Sequence, residues 1–476
     1  MARGLGVGVV SGGFIRRWLQ CIGLTIPPAA ITSLVTGFTK DYFGDNTVTV
    51  SGTCAPGATV EIFNGVTSWG MAAKPTTTTF TLTRTISMAE LNVSIYLGTA
   101  SLTAVPSIGS TSAAVTGTFT GNPALYPGLL ACFDPSQVYV DDWGCEYAAQ
   151  PGAAGLSGAN WVGAGNGPYT HTAGATTDLT DVDLLTAGNR FVLGYTVAGC
   201  TAGNVTPKFG TTAGTTQSAD GAYTEDMTAQ SAALIFTPSN DFPGSVTITS
   251  LANTSIAKVY PRGGVVGGTF AQATALNMPY LGDNASKING YDVVRCDGST
   301  DRLVSDQPAA SWTPLHEAAG AIVCTILSRA AATNHVVAST SNISAPTTTV
   351  GMTVGVGASG YAILRVSNGA AQILAVATAA AAVPADGSPH VVTSWFTEAA
   401  GGTIRVDAAA DVTAAMTGAC SATDPTNTLY IGGYWTGAAL GWPLNGAVGF
   451  ILLAAGTTAI TLASKLHTWS RARAAI

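Results

Sequence analysis

Residues 289–306 read NGYDVVRCDGSTDRLVSD, and this stretch decides the fold of the C-terminal part of the chain. Its first half is apolar enough for a strand, and CDGS at 296–299 favours a sharp turn because Asp and Gly are turn formers. An apolar run resumes at Leu303. A second stretch, at 429–453, reads LYIGGYWTGAALGWPLNGAVGFILL and again combines apolar runs with Gly-rich turns. Both stretches predict strands of an all-β domain.

The two stretches resemble the opening and closing strands of the concanavalin A-like jelly roll in its laminin-G-like form. The family's Asp-Gly turn corresponds to Asp297-Gly298, with Cys296 where the family usually has Phe. Its closing Leu-x-Ile-Gly-Gly strand and Asn-Gly turn correspond to residues 429–433 and 445–446. The resemblance implies a concanavalin A-like domain over residues 263–476. Helical spacing of apolar residues after 461 predicts a helix that docks on this domain.

The upstream chain divides into four further parts. Residues 31–105 alternate with period two and predict a small sandwich; VSGTCAPGATV at 50–60 resembles bacterial immunoglobulin-like repeats. Residues 106–126 are rich in Ser, Thr, Gly and Pro and are interpreted as a linker. Residues 127–262 are predicted to hold a lead-in and a jelly roll that resembles carbohydrate-binding modules. Residues 1–30 are interpreted as an anchoring arm, with an edge strand as the alternative.

The composition is unusual for a chain of 476 residues, because only 9% of them are charged and 57 are glycine. A typical charged fraction is about 25%. The net charge of −7 leaves no basic field, so nucleic acid is not expected as a partner. No apolar run reaches the roughly 18–20 residues of a membrane span. A surface with so few charges is weakly hydrated and prone to associate. This predicts a homo-oligomer, with a trimer as the favoured state.

The eight cysteines are scattered singly and show no metal-binding spacing. Buried free thiols are the favoured interpretation. A disulfide between Cys132 and Cys145 is left open as the alternative.

A third resemblance concerns the virion proteins of tailed phages. FDPS at 133–136, followed by QATALNMPY at 272–280, resembles the lead-in that precedes a laminin-G-like domain in many of them. The resemblance implies a structural protein on the exterior of a particle. Its arm would contact other virion proteins through five residues: Arg3, Phe14, Arg16, Arg17 and Trp18.

Signals for catalysis are few. The chain contains no GxSxG, P-loop or HExxH motif. The adjacent pairs Asp141-Asp142 and Glu225-Asp226 would point to opposite faces of a strand, whereas glycoside hydrolysis needs two carboxyls across one bond. The predicted function is therefore non-enzymatic. A bacterial cell-surface adhesin and a secreted polysaccharide-active enzyme are the alternatives.

Two kinds of binding site are predicted. Asp297, Asp301 and Asp306 supply hard oxygen donors near one turn and could hold Ca²⁺, or they could simply form the turn; no other cofactor is expected. Aromatic side chains in loops suit sugar surfaces or, alternatively, close the sandwich end or contact a neighbouring subunit. The candidates are Tyr434, Trp435 and Trp442, with Trp161 and Tyr169 in the middle module.

Overall fold

The computed structural model describes residues 29–31, 39–42, 46–72, 78–86, 97–107, 109–121, 126–133, 144–147, 155–260, 264–266, 268–281, 287–342, 344–345 and 347–476. The predicted anchoring residues Arg3, Phe14, Arg16, Arg17 and Trp18 lie outside this part of the chain. The chain divides into two compact units. One comprises Met1–Tyr126 with Ser464–Arg473, and the other comprises Pro127–Ala463 with Ala474–Ile476.

The first unit contains a β-sandwich. Its strands are β1 (Ala30–Ile31), β2 (Thr39–Tyr42), β3 (Asn46–Thr53), β4 (Val60–Asn64), β5 (Thr67–Met71), β6 (Thr79–Ile86), β7 (Leu97–Pro106) and β8 (Val115–Gly121). They form a three-stranded sheet, β1-β3-β6, and a five-stranded sheet, β2-β8-β7-β4-β5. Val50 and Phe80 of the first sheet pack with Ile62 and Leu102 of the second in one buried core.

Strand β8 lies inside the predicted linker at 106–126, so that prediction was wrong. The strand pairs with β7, with Leu102 opposite Val115 and Leu97 opposite Thr120. Its sequence, VTGTFTG, is rich in Thr, which is β-branched and suits a pleated strand. Composition alone grouped this Thr with Ser and Gly as linker residues.

The second unit begins with β9 (Leu129–Phe133) and β10 (Gly144–Tyr147) and continues into a middle sandwich. The strands of that sandwich are β11 (Trp161–Val162), β12 (Tyr169–His171), β13 (Leu179–Asp181), β14 (Arg190–Ala198), β15 (Val205–Phe209), β16 (Thr212–Ala213), β17 (Gly221–Thr228), β18 (Leu234–Pro238) and β19 (Ser245–Asn253). Sheet β11-β12-β19-β14-β17 accompanies sheet β13-β18-β15-β16. Their shared core includes Phe191, Tyr195, Phe209 and Phe236.

The rest of the unit is a large sandwich. Its further strands are β20 (Ile256–Tyr260), β21 (Phe270–Ala271), β22 (Tyr280–Leu281), β23 (Val294–Asp297), β24 (Leu303–Ser305), β25 (Ala321–Arg329), β26 (His335–Ser339), β27 (Val350–Val356), β28 (Ala362–Asn368), β29 (Gln372–Ala377), β30 (His390–Thr397), β31 (Gly401–Val406), β32 (Val412–Ala414), β33 (Tyr430–Ile431), β34 (Tyr434–Trp435), β35 (Leu440–Gly441) and β36 (Asn445–Ala455). Short 3-10 helices lie at Ala275–Asn277 and Ala309–Leu315. The nine-stranded sheet is β10-β20-β21-β24-β33-β26-β27-β28-β29. The eight-stranded sheet is β22-β23-β36-β25-β30-β31-β32, with β9 also paired to β36.

The two stretches that decided the sequence prediction are neighbours in both sheets. Strand β23 pairs with β36, with Cys296 opposite Gly446, and β24 pairs with β33, with Leu303 opposite Ile431. Between β23 and β24, Gly298 turns the chain at φ +80°, where a Cβ would lie 2.5 Å from the Cβ of Asn445. The predicted all-β class, built of β-sandwiches, is confirmed.

The middle sandwich is inserted into the large one, which differs from the predicted boundary at residue 262. Strands β9, β10 and β20 lie before that boundary but pair with strands of the large sandwich or with each other at its edge. All five residues of β9 are buried. Such a strand belongs inside a sheet that is covered on both faces, and β9 joins one by pairing with the buried strand β36, where Ala131 lies opposite Leu453.

The predicted C-terminal helix is present at Ala463–Ala474, after a short helix at Thr457–Thr461. Leu466 and Trp469 are fully buried. Residues Ser464–Arg473 group with the first unit, whereas the prediction docked the helix on the C-terminal sandwich. Helical spacing shows that a face is buried but not which element covers it. Within the described residues, no helix has the length and apolar character needed to cross a bilayer.

Six cysteines of the described part carry thiols that are not oxidised to disulfides: Cys54, Cys132, Cys200, Cys296, Cys324 and Cys420. Because Cys132 is among them, the Cys132–Cys145 disulfide left open by the sequence is not formed. Four of the six are buried, as the favoured interpretation expected.

Candidate functional site: the outer face of the nine-stranded sheet

A row of four side chains crosses the face of the nine-stranded sheet that points away from the core, which we call the outer face. Tyr430 lies opposite Ser339, Ser339 opposite Thr353, and Thr353 opposite Arg365. Directly opposed residues of antiparallel strands share a face, so the four form one line across β33, β26, β27 and β28. At the usual strand spacing, Tyr430 and Arg365 are about 14 Å apart. Their chain neighbours face the core: Ile431, Ala338, Val354 and Leu364.

A short hairpin of β34 and β35 contacts this outer face. Tyr434 of the hairpin is only 3% exposed and packs against Val336 and Ile363, and its hydroxyl is hydrogen-bonded to Ser344. Tyr434 is therefore a core residue, and its prediction as a sugar-binding residue was wrong. The physical reason is the alternation of the strand, which turns Tyr434 inward and its neighbour Trp435 the other way.

Trp435 is partly exposed, as the prediction required. Its ring lies parallel to that of Tyr430, with centroids 6.4 Å apart and planes at 3°. The guanidinium carbon of Arg302 lies 5.5 Å from the centroid of Trp435. We call Tyr430, Trp435 and Arg302 the Trp435 cluster. It presents a fixed aromatic surface with a cation at its side.

Trp442 is also partly exposed and follows the second strand of the hairpin. Its φ is 47°, a left-handed conformation that large residues seldom adopt. The guanidinium carbon of Arg365 lies 6.0 Å from its ring centroid. We call Trp442 and Arg365 the Trp442 cluster. Strained backbone of this kind is concentrated at functional sites, where surrounding contacts hold it in place.

The two aromatic candidates of the middle sandwich are core residues, so their prediction as sugar-binding residues was wrong. Trp161 is 8% exposed, and its indole N–H donates to the carbonyl oxygen of Thr177 at 2.8 Å. Tyr169 is 1% exposed. Its hydroxyl accepts from the N–H of Leu156 at 3.1 Å and donates to the carbonyl of Gly165. Buried aromatics with satisfied polar atoms stabilise a core and offer no face to a ligand.

Of the three acidic calcium candidates, Asp297 and Asp301 form one turn and Asp306 binds a residue of a distant segment. One Asp297 carboxylate oxygen accepts from the N–H of Ser299 at 2.8 Å, and Asp301 accepts from the N–H of Asp297 at 2.9 Å. Asp306 binds Thr269 through both the backbone N–H and the hydroxyl. Within the described ranges, no group of three or more His, Cys, Asp or Glu side chains could hold a metal. The carboxylate oxygens of these residues are engaged in hydrogen bonds within the fold, as the turn interpretation of Asp297 and Asp301 requires.

Asp301 is the most deeply buried of the three acids. It is only 4% exposed. Burial, together with the nearby charge of Asp297, raises its pKa to about 8. Burial thus favours the protonated form of this carboxyl.

A small apolar cavity lies between the two sheets of the large sandwich. Its volume is about 20 Å³. The lining residues include Phe133, Val294, Cys296, Leu303 and Ile431. A space of this size holds about one water molecule and has no polar partner to offer it. It is a packing defect and does not form a ligand site.

Sequence reasoning missed Tyr430, Arg302 and Arg365. Tyr430 could have been found, because it alternates with the apolar Ile431 on a strand and must face the other side. Arg302 and Arg365 could not have been found from the sequence, because each lies beside a tryptophan that is distant along the chain. Only the folded sheet brings these groups together.

No protein-family model and no curated protein matches the sequence. Among solved structures, the chain is similar to the fibronectin(III)-like modules of Clostridium thermocellum CbhA, with 14% identity, a TM-score of 0.17, and coverage of 47% of this chain and 90% of that one. It is similar to the tandem CBM22 domains of Paenibacillus barcinonensis Xyn10C, with 9% identity, a TM-score of 0.19, and coverage of 69% and 99%. It is also similar to a tail fibre protein of an E. coli phage, with 12% identity, a TM-score of 0.18, and coverage of 67% and 40%. Similarities this low assign the chain to no family.

Proposed function

We propose that this chain is a non-enzymatic structural protein on the exterior of a tailed-phage or phage-like particle, and that its large sandwich binds glycans of the host surface. The observation that carries the proposal is the pair of partly exposed tryptophans, Trp435 and Trp442, held by one hairpin at the outer face. The phage part of the proposal rests on the resemblance of residues 133–136 and 272–280 to virion lead-ins.

Stacked aromatic rings suit sugars because the C–H faces of a sugar ring are apolar and flat. Trp435 lies parallel to Tyr430, so the ring is held in position before a ligand arrives and loses little conformational entropy on binding. One such contact contributes only about 0.5–1.5 kcal/mol beyond area burial. Many copies on one particle would raise the overall affinity through multivalency.

The outer face has the wrong chemistry for glycoside hydrolysis. Apart from Glu146 on β10, no strand of the nine-stranded sheet contains Asp or Glu. A glycosidase needs two carboxyls about 5–10 Å apart across the scissile bond. Arginine and tryptophan side chains can bind a sugar but supply neither the acid nor the base, which supports binding without hydrolysis.

Trp435→Ala is expected to leave the melting temperature nearly unchanged while lowering multivalent adsorption to cells or to a glycan array at least about tenfold, because the losses add over many copies. Trp395→Ala is the matched control. Trp395 is also partly exposed and beside an arginine, with Arg405 5.8 Å from its ring, but it lies on the eight-stranded sheet. The measurement pairs thermal unfolding with adsorption for both variants.

Two outcomes would count against glycan binding at this face. If Trp435→Ala unfolds the sandwich, the residue belongs to the core. If both variants keep their stability and their adsorption, the sandwich serves as architecture only.

The attachment of the chain to the particle is assigned, within this proposal, to the arm at residues 1–30, nearly all of which lies outside the described residues. Copies of the chain would assemble with one another, with a trimer as the favoured state. Deleting residues 1–28 of the arm, which spares the buried Ala29 and strand β1, is expected to leave the sandwiches folded and to abolish incorporation into particles, measured by the copy number in purified particles. A normal copy number for the truncated chain would place the attachment elsewhere.

A further inference from the structure

Arg302 and Arg365 are the arginines of the two tryptophan clusters, and neither forms an ion pair with any described residue. One terminal guanidinium nitrogen of Arg302 donates to the carbonyl oxygen of Thr300 at 3.2 Å. Its Nε is buried and has no acceptor. Arg365 has no hydrogen-bond acceptor among the described residues, and its contact is with the ring of Trp442. What the two arginines share is a guanidinium that lies against an indole with no carboxylate beside it among the described residues.

Some cations of the same unit have carboxylate partners. The pairs are Arg190 with Asp226 at 2.8 Å, Lys287 with Asp292 at 2.9 Å, and Arg405 with Asp411 in a bidentate contact. The chain has 26 acidic residues against 19 Lys and Arg, so carboxylates are the more abundant partner. Arg302 and Arg365 have no such partner among the described residues, so a carboxylate from outside the chain can pair with them.

Arg329 shows what an arginine without a carboxylate looks like when its role is structural. It is only 1% exposed, and its two terminal nitrogens donate to the carbonyl oxygens of Gly357 and Ala358 at 2.7 and 2.8 Å. Arg302 and Arg365 differ, because both are partly exposed and lie against partly exposed tryptophans. Their donors are placed where a ligand on the outer face could reach them.

We infer that the glycan bound at the outer face is anionic and carries carboxylate groups that pair with Arg302 and Arg365. The inference rests on the proposed glycan-binding function and specifies its ligand class. A guanidinium offers a planar fork of donors that matches a carboxylate, and the adjacent indole excludes water from the pair. Each cluster thus offers a flat surface for a sugar ring and a cation for its acidic group.

The spacing of the clusters favours a polymer over a single sugar. Tyr430 and Arg365 stand at opposite ends of the row, about 14 Å apart at the usual strand spacing. A single monosaccharide cannot reach both ends. An acidic polysaccharide with repeated carboxylates can contact both clusters at once, which raises the affinity through a high effective concentration.

The test compares matched probes on the full-length protein. An array presents uronic-acid and sialic-acid polysaccharides, each beside its carboxyl-reduced product, together with dextran and dextran sulfate. The wild type is expected to bind carboxylated members at least about tenfold more tightly than their reduced products, since charge-assisted hydrogen bonds are the stronger kind. Binding should weaken as NaCl rises from about 0.05 to about 0.5 M, because salt screens charges that are partly exposed.

The variants Arg302→Gln and Arg365→Gln should each lower the affinity for carboxylated members about tenfold or more. Arg405→Gln is the matched control, because it removes one positive charge from the same unit at a site that already has its own carboxylate. It should change binding less than about twofold, since exposed charges far from the ligand are screened. Circular dichroism melting curves verify that all three variants are folded.

Each other outcome has a definite meaning. Equal binding of carboxylated and reduced members overturns the inference but leaves glycan binding in place. Binding to dextran sulfate equal to that of the carboxylated members overturns the carboxylate assignment and leaves only a general preference for anions. If Arg405→Gln loses as much affinity for the carboxylated members, the inference is also overturned, because the net charge of the protein and not the outer face then determines binding. Absence of binding to every member contradicts the proposed function itself.

Discussion

Tyr169→Ala is expected to lower the free energy of unfolding of the middle sandwich by about 3–5 kcal/mol, the usual cost of removing a buried aromatic ring. Tyr169 is 1% exposed and belongs to the same buried core as Phe191 and Phe236. The truncation would leave a cavity and would also leave the N–H of Leu156 and the carbonyl of Gly165 without the hydroxyl. Urea unfolding of the purified protein measures the change.

Tyr169→Phe separates the two contributions. It keeps the ring and removes only the hydroxyl, so the expected loss is about 1–3 kcal/mol for the buried partners left without a hydrogen bond. Adsorption of the folded Phe variant to glycan should match that of the wild type, because the residue offers no face to a ligand. Wild-type stability in the Ala variant would show that Tyr169 does not belong to the core.

Asp301→Asn is expected to stabilise the large sandwich at pH 8 and to have little effect near pH 4. Burial and the charge of Asp297 raise the pKa of Asp301 to about 8, whereas an unfolded Asp titrates near about 3.9. Between these values the folded state holds one more proton than the unfolded state, so stability falls as pH rises, by about 1.4 kcal/mol per pH unit. Over the whole window the loss amounts to at most about 5–6 kcal/mol.

The measurement is the difference in unfolding free energy between wild type and Asp301→Asn at several pH values from about 4 to about 8.5. Asparagine keeps an oxygen that can accept from the N–H of Asp297 and removes the titration, so the difference should grow with pH and level off above about pH 8. Asp297→Asn is the control. Without its like charge the pKa of Asp301 falls, and the pH dependence should become shallower. A difference that does not change with pH would show that Asp301 is ionised in the folded protein.

Much of the fold could be predicted because its signals are local. In β18, Leu234 and Phe236 are buried, whereas Ile235 and Thr237 are half-buried, as period two requires. The opening and closing stretches were recognised separately, and the structure pairs them in both sheets. Strand pairing provides hydrogen-bond partners for the backbone N–H and C=O groups of each stretch. In these two stretches the local pattern and the tertiary structure therefore agree.

The errors concern partners distant in sequence. The Thr-rich segment before residue 122 could be interpreted as linker or strand until its pairing with β7 was known. Strand β9 is apolar on both faces, and nothing near it in sequence shows that it pairs with β36, close to the other end of the chain. The closing helix likewise has a buried face but carries no signal for the element that covers it.

For the candidate site, too, some features follow from the sequence and others only from the tertiary structure. By itself the sequence determined which residue types the site contains. It showed a Gly-rich loop with aromatic side chains, and it showed strands that are nearly free of Asp and Glu. The alternation of Tyr434 and Trp435 was also in the sequence, but which of the two is buried depends on Val336 and Ile363 beneath the hairpin. Only the tertiary structure decided that Arg302 and Arg365 lie beside the exposed tryptophans and that Asp301 is buried. Burial and pairing depend on surfaces brought together by folding, and no short window of sequence contains them.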